Sequence, residues 1–564
     1  MQPATTRKRK YRRWAIIGLL AAFVLVSIFL VLVNRFVEPL LKDRLHTLIV
    51  QGSDSLYTYK LHDLRANFFG GNVEVENLQI RIDSNRFNQL KQQNALPPLT
   101  MQLDLQKGYL KGLGVFSLLF GKKIEIREIG SRQADIKLSR HIRPRDTVRQ
   151  EREPLWKAIQ PKIKKIGIDR IKLDGVKMLY RNADTAESVK LQFDRFDATF
   201  NDVRIDSASS YDTSRIGFVK SFNMRFNDIK FRTPDSSAKM KAEWITYSSE
   251  TRVLEVVDFK VQPTREDKES FYKAANMQKA MEVIQFNRMR FTGLRLERFI
   301  HNNVIEADSL VIQKPDISIY VDKSMPPTFE SKVGHYPHQR LLKANASINI
   351  RHLSIVDAGL RYTEKSPKTM NEGTLVLKDI NLTANNVTND YYAIARNPVC
   401  TAQLKGKILE TTPVEIQFRF YLDSANGRFD ASGSVGSASA AQLNKLAVPL
   451  ANTHLQAFNI QQLQFQVSGE DFEARGRVRM RYSNLSLVLQ KRDEATGENK
   501  TNRFLTKLLN KFVLHPSNPG PDGVERTAEN VRVMRLTDKA FFGLLWQTIF
   551  AGMQDIMMKY GRYQ

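Results

Sequence analysis

Nine histidines, one cysteine and 59 acidic residues are the raw material for chemistry in this 564-residue chain. A zinc site needs three or four Cys, His or carboxylate ligands converging on one point. Only His335 and His338 lie close together, in a Pro-containing stretch that supplies no further ligand locally. Cys400 stands alone, so no intrachain disulfide and no cysteine-rich metal centre can form. With no base beside it, its expected role is that of a small buried apolar residue. The hydrolase and nucleotide signatures HExxH, GxSxG and the P-loop do not occur. Gly112 and Gly114 begin a GxG that fails at Ser117, and no Asp-x-Asp is present to hold a sugar-nucleotide metal. No catalytic residue, metal or cofactor is expected, so function must come from patterning.

Eighty-six Lys and Arg against those 59 acids leave a net charge of +27. That favours a polyanionic neighbour such as nucleic acid, anionic lipid or acidic glycan. The N-terminus narrows the choice. Arg7, Lys8, Arg9, Lys10, Arg12 and Arg13 form a basic tail (1–13) ahead of an uncharged run from Trp14 to Val33. Such a run, at about 1.5 Å per residue, matches a bilayer core of roughly 30 Å. No small-residue cleavage pattern follows it before Arg35. The expectation is a single-pass signal anchor in a bacterial inner membrane, with Trp14 at the interface. The N-terminus then stays cytoplasmic and the bulk of the chain is periplasmic. A translocated body does not meet nucleic acid, so none is expected as a partner.

From Tyr57 to about residue 490 one unit recurs: apolar, polar, apolar, two polar, apolar, polar, apolar. It appears from Val73, Ile166, Leu191, Met224, Ile284, Ile348 and Phe458. Seven clean copies stand against roughly two expected by chance at this composition. Strand side chains alternate with period two, so the doubled polar step would turn the second half outward unless a bulge absorbs the extra residue. Each unit therefore reads as a bulged strand with one apolar and one polar face. Lys172, Arg225, Lys230 and Arg288 occupy polar positions and should lie on a solvated outer face.

The apolar face can go two ways. Two sheets can close on each other as a sandwich, or one long curved antiparallel sheet can fold lengthwise into a trough open to lipid. The candidate lining residues are Val73, Val75, Leu78, Ile80, Ile166, Ile168, Ile171, Leu173, Phe226, Ile229, Phe286, Met289, Ile348, Ile350, Leu353, Ile355, Ile460 and Leu463. The helices predicted to cover the sheet are few: an amphipathic stretch within 34–56, and insertions near 140–160, 264–283 and 440–457.

At these residues the chain resembles the AsmA-like family of inner-membrane-anchored periplasmic proteins, related to bridge-like lipid-transfer proteins. The resemblance rests on GGNVEVENLQI from Gly70 and INIRHLSIVDAGLRYTE from Ile348. LNKLAVPL from Leu443, with the strands after it, extends the match. KLLNKFVLHPSNP from Lys507 and AFFGLLWQTIFAGM from Ala540 are similar to the closing segments of Bacteroidota-type forms. The resemblance implies a mainly β fold with a transmembrane anchor and a β-taco-like apolar trough. It also implies non-enzymatic transfer of phospholipid or another acyl lipid between inner and outer membrane, supporting outer-membrane homeostasis. Outer-membrane or other envelope proteins are the further partners. The alternative from a different class is an envelope-assembly scaffold with a closed β core. In the C-terminal segment (491–564), a loop and amphipathic helices are expected. Phe542, Leu545, Trp546 and Ile549 form a stripe that could touch membrane, and capping the end of the sheet is the other reading.

Overall fold

A computed structural model describes residues 46, 49–67, 71–114, 123–141, 164–183, 189–209, 211–212, 214–233, 235–328, 330–492, 499–501 and 503–559. The basic tail, the span 14–33 with Trp14, most of the juxtamembrane stretch and the insertion near 140–160 lie outside these residues. Among the described residues no helix is long and apolar enough to cross a membrane. The chain is mainly β, 59% strand and 17% helical. It divides into two compact units, Met1–Val257 and Asp258–Gln564.

The first unit contains β1 (Tyr57–Asn67), β2 (Asn72–Ile82), helix α1 (Ser84–Gln92), β3 (Leu99–Leu113), β4 (Lys123–Arg140), β5 (Lys165–Asn182), β6 (Val189–Ile205), β7 (Val219–Arg232) and β8 (Ala238–Ser248). β1 through β4 pair antiparallel in sequence order, β4 pairs β5 in parallel, and β5 through β8 are antiparallel again. β9 (Val253–Pro263) carries the chain across the boundary.

The second unit continues with α2 (Lys268–Ala275), β10 (Met281–Thr292), α3 (Leu296–Asn302), β11 (Val304–Gln313), β12 (Asp316–Asp322) and α4 (Pro337–Leu342). Then come β13 (Ser347–Lys365), β14 (Glu372–Thr388), α5 (Tyr391–Arg396), β15 (Val399–Ile408), β16 (Thr412–Tyr421), β17 (Phe429–Val435), β18 (Ala438–Ser439) and α6 (Ala440–Ala451). It closes with β19 (Thr453–Gly469), β20 (Glu473–Arg492), β21 (Asn499–Thr501), α7 (Arg503–Leu508), β22 (Thr527–Met534) and α8 (Phe541–Met557). β10 pairs both β11 and β12, and both of these run parallel to β13. From β13 the order is antiparallel through β14, β15, β16, β17, β19 and β20 to β22.

The sheet structure is thus mixed: mostly antiparallel as expected, with parallel pairings of β4 with β5 and of β11 and β12 with β13. Parallel neighbours need a crossover of a dozen residues or more. Residues 141–164 between β4 and β5, and 323–346 between β12 and β13, supply that length. The strands are long as expected: β13 has 19 residues and β20 has 20, against the usual five or six.

The doubled polar step has a clear structural meaning. In the first unit His62, Asn77, Gln106, Gln133 and Gly175 fall opposite one another and are passed over by the hydrogen-bonded ladder. Asn77, Gln133 and Gly175 have positive φ. A second line, Gly112, Arg127, Asp169 and Asp202, crosses the same strands six residues away, with Gly112 and Asp202 at positive φ. At about 3.3 Å per residue the two lines are roughly 20 Å apart. The second unit repeats the device. Asp308, Arg351 and Asn386 form one line, and Lys314, Asp357 and Asp379 the other. From β1 to β5 the register is the same on both sides of these positions. Neighbouring strands step together and no extra residue is inserted, which corrects the bulge expected for each unit. β13–β14 and β19–β20 do shift register. Because neighbouring strands turn at matching positions, each line is a crease in the sheet. Asn and Asp dominate these positions because they visit that region at less cost than other residues with a side chain.

Two predicted helices are shorter than expected. The region 264–283 gives only Lys268–Ala275, because Asn276 caps it in the left-handed conformation and β10 starts at Met281. The region 440–457 gives Ala440–Ala451, stopped by Asn452 in the same way before β19. In the stretch 34–56 the described end is a single turn, Gln51–Ser53, and then β1 begins.

The C-terminal segment is more than a loop and helices. β22 extends the sheet beside β20, and α8 packs on β19, β20 and β22. Gly552 permits the close approach: a Cβ there would overlap Val478 and lie 3.1 Å from Val531 Cγ2. Gly552→Leu is expected to push α8 off the sheet and to lower stability by about 2 kcal/mol. The readout is the midpoint of urea unfolding.

Candidate functional site

Alternation within each strand puts the predicted lining residues on one face, and the registers bring them together. Val73, Val75, Leu78 and Ile80 lie opposite Leu110, Gly108, Leu105 and Leu103. Ile166, Ile168 and Ile171 pair with Ile124, Ile126 and Ile129 on one side and with Ile205, Val203 and Phe200 on the other. Leu173 pairs with Ala198, and Ile229 with Ala242. Phe226 stacks on Phe196 with centroids 4.4 Å apart. In the second unit Ile348, Ile350, Leu353 and Ile355 lie opposite Ile305, Ala307, Leu310 and Ile312, and Met289 faces Ile312. Phe286 stacks on Phe259 at 4.9 Å.

Burial separates these residues into two kinds. Val73, Val75, Leu78, Ile80, Ile166, Ile168, Ile171, Ile229, Phe286 and Ile350 are buried. Leu173, Phe226, Met289, Ile348, Leu353 and Ile355 are only half-buried. Their neighbours Leu310, Ile312, Leu360, Leu377 and Leu382 are half-buried too. The apolar face across β10 to β14 is thus less deeply buried than the Ile-rich face of β4 to β6. The polar face behaves as predicted, with Lys172, Arg225, Lys230 and Arg288 all exposed.

Ile460 and Leu463 belong to a different environment. Both are buried in a core with Phe465, Val478, Met480 and the α8 residues Leu544, Leu545 and Ile549. That end of the face is closed by α8. Leu545 and Ile549 of the predicted membrane stripe therefore point into the protein, while Phe542 and Trp546 remain exposed. The reason is the width of the helix's apolar surface: α8 is apolar on two sides, and a sequence stripe does not tell which side meets the sheet.

The chemistry-bearing residues are dispersed. Among the described residues no group of three His, Cys, Asp or Glu is placed to hold a metal. Cys400 is buried, and burial pushes its thiol up to about 11. Gly112 sits on a crease of β3 at positive φ, not in a phosphate loop. An open cleft of about 580 Å³ over β5 to β8 is lined by Leu173, Asp174, Arg195, Asp197, Met224 and Arg225 among others. Arg195 bonds Asp197 at 2.7 Å and Asp174 at 3.1 Å, so the acids there are already engaged.

His338, in the Pro-containing stretch it shares with His335, does not lie on the surface. It is buried on α4, stacked on Phe420 at 5.0 Å, and neither ring nitrogen reaches a hydrogen-bond partner of ordinary geometry. Burial pushes it down to about 4, with the Gly427 backbone and then the Asp471 charge pulling the other way. The folded state thus holds His338 neutral at pH values where the unfolded chain protonates it. The associated stability is complete above about 6.5 and is lost as pH falls toward 4, a loss on the order of 3 kcal/mol. His338→Phe should flatten the stability profile over that window and leave it little changed at pH 7.5, as read by denaturant titration.

No protein-family model matches the chain, and no curated protein sequence matches it either.

Proposed function

We propose that this protein handles phospholipid, or another acyl lipid, without catalysis. The half-buried apolar face of β10 to β14 holds the chains, and the anchored body carries them between the inner and outer membranes in support of outer-membrane homeostasis. One observation carries this reading: a wide strip of Leu, Ile, Met and Phe in contact with solvent on one face, with the charged residues on the other. Each methylene taken from water is worth about 0.8 kcal/mol, so a 16-carbon chain faces a barrier on the order of 12 kcal/mol to crossing an aqueous gap. An apolar strip that shields the chain lowers that barrier with no reactive group.

The second reading is an envelope-assembly scaffold with a closed β core that binds proteins through its loops and edges. It is favoured by the α8 end, where Ile460 and Leu463 are sealed. Lipid extraction and native mass spectrometry of the detergent-free purified protein decide between them. Co-purified phospholipid at one or more equivalents is the expected result. A folded, lipid-free chain would leave the scaffold.

A further inference from the structure

α8 has an apolar outer face that the core does not use. Phe542 is 61% exposed, Trp546 55% and Phe550 40%, at four-residue spacing along one side of the helix. Trp546 and Phe550 stack at 5.6 Å. A helix that only caps a sheet turns a polar side to water, and three exposed aromatic rings in a row need an occupant. The surroundings specify its charge. Lys559, at the end of α8, donates from Nζ to the Lys511 carbonyl at 2.7 Å and from its backbone to Val513. That places the helix end beside the segment following α7, and α7 itself exposes Phe504 (76%) and Leu508 (43%). From Asn499 to Val513 the chain has Lys500, Arg503, Lys507 and Lys511 and no acid. A second copy of this surface would bring like charges together, and a protein partner would have to be both acidic and aromatic-binding along one narrow stripe.

We propose that Phe542, Trp546 and Phe550 insert into the interfacial region of an anionic bilayer, with Lys507, Lys511 and Lys559 against its headgroups. Amphipathic rings and snorkelling lysines are the side chains that such an interface accepts. This rests on the lipid-handling reading, because it names the membrane-facing end of the same body. It moves the contact from Leu545 and Ile549 to the rings that are in fact outside.

The full chain in neutral-lipid nanodiscs should capture phosphatidylglycerol vesicles. Capture should fall about tenfold in F542S/W546S/F550S with the melting temperature unchanged, and should weaken with added salt. Brominated lipid in the captured vesicles should quench a fluorescence component that Trp546→Phe removes. Equal capture by the triple variant, equal capture of neutral vesicles, or loss of a dimer in its place would overturn the proposal. A variant defective in the lipid strip, such as Leu353→Glu, should still capture vesicles, so failure of docking and failure of lipid loading read separately.

Discussion

Leu353→Glu combined with Ile355→Glu should empty the protein of lipid and leave it folded. Both side chains are half-buried on β13 and face Leu310 and Ile312. A carboxylate at either position reaches water in the lipid-free protein, so the fold pays little for it. With an acyl chain laid across the strip, the same carboxylates would be stripped of solvent without a partner, costing about 2 to 3 kcal/mol. That converts to a loss of roughly 30- to 150-fold in affinity. The control is Ile168→Glu in the first unit. Ile168 is 1% exposed, between Ile126 and Val203. A carboxylate there has no route to water and should unfold that unit, at a cost of several kcal/mol. Quantitative lipid analysis beside a thermal melt reads both outcomes. If the β13 variant melts as badly as Ile168→Glu, that face is a closed core and the scaffold reading takes over.

The contrast between those two sites was not legible in sequence, because both belong to the same repeated pattern. Periodicity gave the facing of Ile168 and Leu353 correctly, and the doubled polar step located the bends. Asn77 and Asp228 each occupy the second polar position of such a step and each has positive φ. Periodicity could not give burial, which depends on what lies across the face. Nor could it give the parallel pairings of β4 with β5 and of β12 with β13, since strand direction is set by the connecting segments and not by alternation. The helix ends are readable in the sequence. Asn276 and Asn452 are ordinary left-handed stop signals, but the apolar spacing continues through them into β10 and β19 and imitates a longer helix. α8 shows the same limit in reverse: a stripe through Leu545, Trp546 and Ile549 mixes one buried side with one exposed side, and only the packing of Gly552 against Val478 decides between them.

A stability loss of several kcal/mol is also expected from Arg535→Ala. The Arg535 side chain is fully buried just before α8. It donates to the carbonyls of Asp471 at 3.1 Å, Lys332 at 2.6 Å and Lys539 at 2.8 Å. Its guanidinium lies over the Tyr336 ring at 4.4 Å and within 3.8 Å of the Asp471 carboxylate. Asp471 also holds the Gln339 amide at 3.0 Å, and the Tyr336 hydroxyl donates to Glu470. The cation thus ties the α4 region, the β19–β20 turn and the entry to α8 into one node. Alanine would orphan three carbonyls and leave Asp471 without its cation, for a loss of about 3 to 5 kcal/mol. Arg535→Lys keeps the charge and gives up the planar fork that serves three carbonyls at once, so it should recover only part of that loss. Asp471→Asn in the alanine background should be less harmful than the two single losses predict, because the uncompensated carboxylate is then removed. Urea unfolding of the four variants reads the coupling, and strict additivity would mean that the buried pair is not what secures the end of the sheet.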